Sequence, residues 1–312
     1  MKYERTQPRR RAGFTLIELL VVIAIIAVLG SLLAGAVFRI TASQSQKRTE
    51  ATLKKLQTGL SGQWQAVVDS TKDELKNNGG DPKSVNFLIY NFAQGLAIND
   101  PSRARALYIK FRLKQEFPQT FTEALNPIPS LAKNAAKPTY TVALTGAVSP
   151  GAQLESAMCL YLALNQGRRG ATFSAEDVGA GSVKSQMCGN VSLSFFVDAW
   201  GQPITFERWS TDATIIAELS APPYTPSAGS ADKEDPDAAL YKAKGNWTAA
   251  NAATAAAELS KPAGSPPHPI SFAVGAQNLG FVIRSTGPNK NFGDGDDILG
   301  FRLMKEGSRG SN

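Results

Sequence analysis

The chain has 312 residues, of which 43% are hydrophobic and 19% are charged, and it carries a formal net charge of +7. This composition is typical of a globular protein and excludes a disordered chain. Residues 1–13 contain five basic side chains and one acidic side chain, so this short segment supplies +4 of the net charge. The remainder is close to neutral and has no basic patch with interleaved aromatic residues, which argues against nucleic-acid binding.

An uncharged stretch of twenty residues runs from Leu19 to Phe38 and follows the basic segment closely. An α-helix of that length is about 30 Å long, which matches the hydrocarbon thickness of a bilayer. A basic leader stays in the cytoplasm, so the rest of the chain is expected to face outward. The sequence therefore predicts a single membrane-spanning helix over residues 14–38, in the inner membrane, with its N-terminus in the cytoplasm.

One acidic residue, Glu18, lies at the start of this apolar stretch. A carboxylate in hydrocarbon costs about 2.5–3.5 kcal/mol, so Glu18 needs a partner. If the chain is cut between Gly13 and Phe14, the new α-amino group of Phe14 is a suitable cation. This interpretation makes Glu18 a device for assembly.

Residues 11–23, Arg-Ala-Gly-Phe-Thr-Leu-Ile-Glu-Leu-Leu-Val-Val-Ile, closely resemble the signal of type IV pilins and type II secretion pseudopilins. The resemblance implies that a prepilin peptidase cuts after Gly13, removes leader 1–13 and methylates Phe14. It also implies that Glu18 pairs with the terminal amine of a neighbouring subunit. The implied partners are copies of the chain, other pilins or pseudopilins, the peptidase, an inner-membrane assembly platform and the lipid bilayer.

Two other interpretations of the N-terminus remain open. An ordinary secretory signal could be cleaved after the small-residue tripeptide 34–36, although its apolar core would be unusually long and would contain Glu18. A plain signal anchor that holds an outward-facing enzyme fits the hydropathy and leaves Glu18 unexplained.

Residues 39–78 predict a helical stalk that continues the membrane helix. Apolar residues recur at steps of three and four, which places them on one helix face: Leu53, Leu56, Leu60, Trp64 and Val67. Residues 77–82, Asn-Asn-Gly-Gly-Asp-Pro, predict the end of the helix. We expect the apolar face to pack against the chain's own globular part.

Residues 79–312 predict an outward-facing globular head. Residues 83–125 and 152–166 have helical periodicity, and residues 126–152 read as a loop rich in Pro, Ala and Thr. A stretch at about 221–269, rich in Pro, Ala, Ser and Lys, predicts an inserted loop with a short helix near 248–259. The expected fold is α+β, with the long N-terminal helix packed on a head that contains a small antiparallel sheet.

Three later segments predict strands. Residues 195–206 resemble the Asp-Pro-Trp-Gly-x-Pro segment that leads into the pseudopilin sheet, with Ala199 in place of proline. They predict a turn followed by a strand, with Trp200 as a packing anchor. Residues 280–285 and 298–303 predict two further strands.

An acidic loop joins the last two predicted strands. Three aspartates within four positions repel one another unless they are solvated or bind a cation, and oxygen ligands on such a loop suit Ca²⁺. The loop resembles the calcium loop of the major pseudopilin, which implies ligand positions at Asn289, Asp296 and Asp297, with Asp294 close by. Asn289 stands where an acid is usual, and a solvated acidic turn is the alternative.

Catalytic signals are poor throughout the sequence. The single histidine, His268, lies between two prolines, and no Gly-x-Ser-x-Gly, Walker loop or Cys/His metal set is present. We therefore expect no enzymatic activity. Cys159 and Cys188 are the only cysteines, and the sequence leaves open whether they form a disulfide or stay as two buried thiols.

The predicted function is that of a structural subunit of a pilus-like filament, closest to the major, G-type pseudopilin of type II secretion but with an enlarged head. A minor pilin of a type IV pilus and a membrane-anchored extracytoplasmic enzyme are the alternatives.

Overall fold

A single helix, α1 (Leu16–Lys76), carries both the N-terminal apolar stretch and the predicted stalk. The computed structural model describes residues 15–210, 212–221, 232–241, 247–260, 280–291 and 295–306, with the backbone alone at 32–40, 180 and 305–306. The chain divides into two units, residues 1–47 and residues 48–312. In the first unit the described apolar side chains of α1 are exposed, and Leu16 is 81% exposed.

In the second unit the apolar face of α1 is buried. Leu53, Leu56 and Leu60 are fully buried, and Trp64 and Val67 are nearly so. They belong to one core cluster with residues from much later in the chain. The prediction that this face packs against the head is confirmed.

The end of α1 also agrees with the sequence. The helix stops at Lys76, and Asn78 and Gly79 follow with φ of 50° and 88°. A Cβ at Gly79 would lie 2.7 Å from the Cβ of Tyr90, so this position requires glycine for its conformation and its space.

Short helices fill much of the second unit, and several begin at polar caps. The Asp100 carboxylate accepts a hydrogen bond from the N–H of Arg103 (3.0 Å), and Thr120 caps the next helix similarly. The helices after α1 are α2 (Val85–Leu96), α3 (Pro101–Glu116), α4 (Phe121–Leu125), α5 (Pro138–Leu144), α6 (Ala152–Leu164), α7 (Ala213–Leu219), α8 (Ala249–Ser260) and α9 (Gly300–Glu306).

Helix α5 corrects the prediction of a loop over 126–152. Pro138 stands at the first position of the helix, where proline is favoured because its missing N–H would be unpaired anyway. Tyr140 and Leu144 are buried and fix the helix against the core. The proline was therefore a start signal and not a loop signal.

Within the described residues there are two antiparallel sheets where one was expected. The first pairs β1 (Val183–Cys188) with β2 (Val191–Phe196). The second has the order β3-β4-β5. Its strands are β3 (Thr205–Glu207), β4 (Val282–Ser285) and β5 (Ile298–Leu299). Helices and small antiparallel sheets together give the expected α+β class.

The prediction of a strand over 298–303 is wrong beyond Leu299. In β4, Val282, Ile283 and Arg284 pair with β3 along one edge, and Arg284 and Ser285 pair with β5 along the other. The chain then turns into α9 at Gly300, and Phe301 is buried.

The described part of residues 221–269 belongs to the core. The short helix expected near 248–259 is confirmed as α8, which contacts α3 and α2. Leu240 and Trp247 are buried beside it. Trp200, predicted as a packing anchor, is only half-buried, and the fully buried tryptophan of this region is Trp209.

Ion pairs are buried at several points in the second unit. Arg208 and Glu123 are both fully buried and form a two-pronged pair, with N···O distances of 2.7 and 2.9 Å. The Glu116 carboxylate accepts hydrogen bonds from Lys137 (2.6 Å) and Arg168 (2.8 Å). These pairs tie α3 and α4 to segments far away in the sequence.

Candidate functional site

The N-terminal motif begins with a capping box that closes the first turn of α1. The Glu18 carboxylate accepts hydrogen bonds from the backbone N–H and the hydroxyl of Thr15, both at 2.8 Å. In return, the Glu18 backbone N–H donates to the Thr15 hydroxyl at 3.3 Å. The pattern Thr-x-x-Glu was visible in the sequence and is a known helix-start signal. Glu18 therefore has a local structural role that the sequence analysis missed.

The surroundings of Glu18 are apolar and open. The described side chains from Leu16 to Leu29 are largely exposed, and Glu18 lies among them at the positive end of the helix dipole. Gly13 and Phe14, the predicted processing residues, lie outside the described residues. The pairing of Glu18 with a Phe14 amine therefore stays a prediction.

A membrane span is not identified in the described part of the chain. Among these residues, no helix combines the length and the hydropathy needed to cross a bilayer.

The loop between β4 and β5 brings two of the four predicted metal ligands together. The Asn289 amide donates to Oδ1 of Asp296 at 2.7 Å, and the Asn289 backbone N–H donates to Oδ2 at 3.2 Å. Gly287, with φ of 67°, lies so close to Asp296 that a Cβ would be 3.0 Å from its carboxylate. Asp297 follows directly before β5, and Asp294 lies outside the described residues.

The fit of this loop to Ca²⁺ is partial. Calcium needs six to eight oxygen ligands, yet the Asn289 side chain turns its N–H toward Asp296. Its oxygen accepts a hydrogen bond from the N–H of Asn291 at 2.8 Å, which would break if the amide rotated to bind a cation. In the described part of the chain, no cluster of three or more Asp, Glu, His or Cys side chains is arranged to hold a metal. Metal binding stays a prediction.

Asp198 anchors this loop, a role that the sequence analysis did not assign. One carboxylate oxygen accepts the N–H groups of Trp200 and Gln202, both at 2.9 Å. The other accepts the hydroxyl of Ser285 at 2.7 Å, and that hydroxyl accepts the N–H of Gly287 at 3.2 Å. Asp198 thus links the turn before β3 to the start of the acidic loop.

The cysteines are two free, buried thiols, which decides between the two alternatives left by the sequence. Sγ of Cys188 lies 3.7 Å from Sδ of Met158. Burial raises the pKa of the Cys159 thiol well above its usual value, so it stays protonated and unreactive. His268 lies outside the described residues.

Comparison with known proteins identifies the N-terminal segment. No curated protein and no solved structure matches the chain. Residues 8–34 match the family model of the prokaryotic N-terminal methylation motif. That segment contains the predicted cleavage point, the capping box and Glu18. The chain therefore carries the type IV pilin-like signal that prepilin peptidase processes.

Proposed function

We propose that this chain is a structural subunit of a pilus-like filament, most nearly a type II secretion pseudopilin. The observation that carries the proposal is the methylation motif at residues 8–34, with Glu18 in the first turn of α1. The proposed role is mechanical and involves no catalysis. A minor pilin of a type IV pilus is the near alternative, because residues 79–312 are a large head for a major subunit.

The proposed mechanism starts with removal of leader 1–13 in the inner membrane and methylation of Phe14. Residues 14–38 then hold the subunit in the bilayer, with the head in the periplasm. Glu18 pairs with the Phe14 amine of a neighbouring copy, which removes the cost of a lone carboxylate in hydrocarbon. The exposed apolar side chains from Leu16 to Leu29 pack between subunits as the filament grows.

N-terminal sequencing of the mature protein tests the first step. The expected result is N-methyl-Phe14 as the first residue. Retention of Met1, or a start at Val37, would contradict the proposal.

Three variants test whether the charge of Glu18 or its cap drives assembly. Glu18→Gln keeps a capping box, since glutamine serves at this position, but it removes the charge. Thr15→Ala removes the hydroxyl of the cap and keeps the charge. We expect Glu18→Gln and Glu18→Ala to be processed normally and to fail in filament incorporation, while Thr15→Ala incorporates. Normal incorporation of Glu18→Gln would show that charge pairing is not the mechanism.

We further propose that the β4–β5 loop binds Ca²⁺ through Asp296 and Asp297, with Asp294 and Asn289 beside them. Support comes from the resemblance to the pseudopilin loop and from the closeness of Asn289 to Asp296. Added Ca²⁺ is expected to raise the melting temperature, and the double variant Asp296→Ala/Asp297→Ala is expected to abolish the rise. Glu176→Ala, at an exposed acid elsewhere, is the matched control.

An Asn289→Asp variant sharpens the calcium test. It places a second carboxylate against Asp296, so it should lower the melting temperature without Ca²⁺ and enlarge the rise with it. An unchanged melting curve in the native protein and in this variant would leave the loop as a solvated acidic turn.

A further inference from the structure

Strand β1 lies at the edge of its sheet. It pairs with β2 along its whole length, and no other strand in the described part of the chain joins this sheet. Just after β2, the N–H of Val197 donates to the carbonyl of Ser182 at 2.8 Å. Because hydrogen-bonded pairs alternate along an antiparallel ladder, residues 184, 186 and 188 also direct their backbone groups toward β2. The backbone groups that point away from β2 are therefore those of Val183, Ser185 and Met187.

The outward backbone groups of β1 are open to other strands. Within the described residues, their N–H and C=O groups form no backbone hydrogen bond with another segment. Residues 184–187 are all exposed, and the apolar side chain of Met187 is 62% exposed. A row of free donors and acceptors with an exposed apolar side chain is a template for pairing with a further strand.

The edge of β1 lacks the features that usually prevent such pairing. Proteins protect edge strands with proline, with a bulge or with a lysine that covers the edge. Strand β1 contains no proline, and its six residues follow β2 in unbroken register. Its one charged residue, Lys184, donates from Nζ to the carbonyl of Gly201 at 3.4 Å, in the turn before β3. The ammonium group is thus directed to this turn and leaves the edge accessible.

The residues of β1 are complementary to a second copy of the same strand. In an antiparallel pairing with its two-fold axis at Lys184, the two ammonium groups stand directly opposite each other and repel. An axis at Gln186 brings Gly189 into the ladder, although its φ of 64° is not that of a strand. An axis at Ser185 sets Met187 opposite Val183 and Lys184 opposite Gln186. This last register brings no like charges together and pairs all the outward groups.

We propose that β1 is a docking edge for a second copy of this chain, in an antiparallel pairing centred on Ser185. The two sheets then form one continuous sheet in the order β2-β1-β1-β2. Met187 of each copy is covered by Val183 of the other. The contact uses the same surface on both copies, as two-fold interfaces do. It lies outside the N-terminal motif and does not depend on the filament role.

The proposed contact is small. A stable complex buries about 1,600 Å² in total, and a single pair of strand edges buries less than this. We therefore expect weak association that rises with protein concentration. A covalent cross-link captures such a contact and also reports its register.

Cysteines at positions 184 and 186 test the pairing. In the proposed register these positions form a non-hydrogen-bonded pair, whose Cα atoms lie about 4.5 Å apart, within the range of a disulfide. Full-length Lys184→Cys and Gln186→Cys are purified separately in detergent micelles, mixed and treated with a mild oxidant. We expect a cross-linked dimer from the mixture and much less from either variant alone. No dimer in the mixture, or as much dimer from either variant alone, would overturn the proposal.

Two controls separate this contact from incidental association. The native chain gives the background, because its own thiols, Cys159 and Cys188, are buried. Ser192→Cys places a thiol at an exposed position of β2, away from the proposed contact. Copies brought together by the apolar N-terminal helix or by a shared micelle would cross-link through this position as readily. Equal dimer yields from Ser192→Cys and from the mixture would therefore contradict pairing through β1.

A proline at the centre of β1 tests the backbone hydrogen bonds. Because the Ser185 N–H points away from β2, Ser185→Pro keeps the β1–β2 ladder and removes a donor at the two-fold axis. Added to both cysteine variants, it should lower the dimer yield by roughly ten-fold or more. Ser192→Pro is the matched control, since Ser192 opposes Met187 and its N–H points to the far edge of β2. An unchanged yield with Ser185→Pro would overturn the proposal.

Discussion

At the scale of single residues, the Arg208 side chain makes several buried contacts, including an ion pair with Glu123. The Arg208 guanidinium donates to both carboxylate oxygens of Glu123 and to the Phe117 carbonyl, and it lies 4.4 Å from the Trp209 ring centroid. The two charges compensate each other's loss of hydration only while both partners are present, because burial removes each charge from water.

Replacing Glu123 by alanine should therefore lower the free energy of unfolding by about 3–5 kcal/mol, since it leaves Arg208 buried and uncompensated. Urea unfolding of the full chain measures the loss. The double variant Glu123→Leu/Arg208→Met removes both charges and should be clearly more stable than the single variant. A single variant as stable as the native protein would show that water reaches Arg208.

Glu234 gives the stability of the second unit a dependence on pH. Its pKa is raised to about 7 by burial, with Asp232 adding to the rise and Lys110 opposing it. The folded state therefore holds a proton that the unfolded state loses near the ordinary glutamate pKa of 4.5. As pH rises from about 4.5 to 7, this group should lower the free energy of unfolding by up to about 1.4 kcal/mol per pH unit.

Denaturant unfolding between pH 4.5 and 8 checks this dependence by comparing the native chain with Glu234→Gln. The glutamine variant should lose the downward slope below pH 7, and the difference between the two proteins should level off above it. Parallel pH profiles would show that the Glu234 carboxyl group titrates normally.

At the scale of elements, α1 offers two glycines that differ only in their surroundings. Gly62 is exposed, and a Cβ there would have no neighbour within 4 Å. A Cβ at Gly59 would overlap the ring of Phe173 and lie 2.8 Å from its Cε2. Both positions lie inside a regular helix, where glycine costs about 0.5–1 kcal/mol relative to alanine.

Gly62→Ala should raise the free energy of unfolding by about 0.5–1 kcal/mol, because it gains helix propensity without a contact. Gly59→Ala should instead lower it by about 1–3 kcal/mol, since the ring of Phe173 must move. Chemical denaturation of the two variants side by side is the measurement. Equal stabilisation by both changes would show that Phe173 does not pack on α1.

The elements that the sequence predicted well are those set by local pattern. The spacing of Leu53, Leu56 and Leu60 predicted both the helix and its buried face, because helix periodicity is a property of neighbouring residues. Helix α5 was missed because proline marks a loop in one context and a helix start in another. The early end of β5 at Leu299 could not be predicted, since a short apolar run such as residues 298–303 fits a buried strand or a buried helix, and the helix α9 begins at Gly300.

At the scale of the whole molecule, the features that sequence could not supply are those made by distant segments. Lys110 meets Asp232 across 122 positions, and Asp198 meets Ser285 across 87. In both pairs, neither residue lies in a sequence motif that predicts its partner. The N-terminal signal was recognisable because all its residues are contiguous, and the resemblance to the pseudopilin calcium loop implied that Asn289 and Asp296 lie near each other, as they do.

Because the two thiols form no disulfide, the rate at which they react reports transient local unfolding of the protein. Cys159 and Cys188 have no covalent tie, so reaching the native state requires no oxidant. Both are shielded in the same apolar cluster, so an alkylating reagent can modify them only when that cluster is breached. The rate of alkylation thus measures how often this part of the second unit unfolds locally.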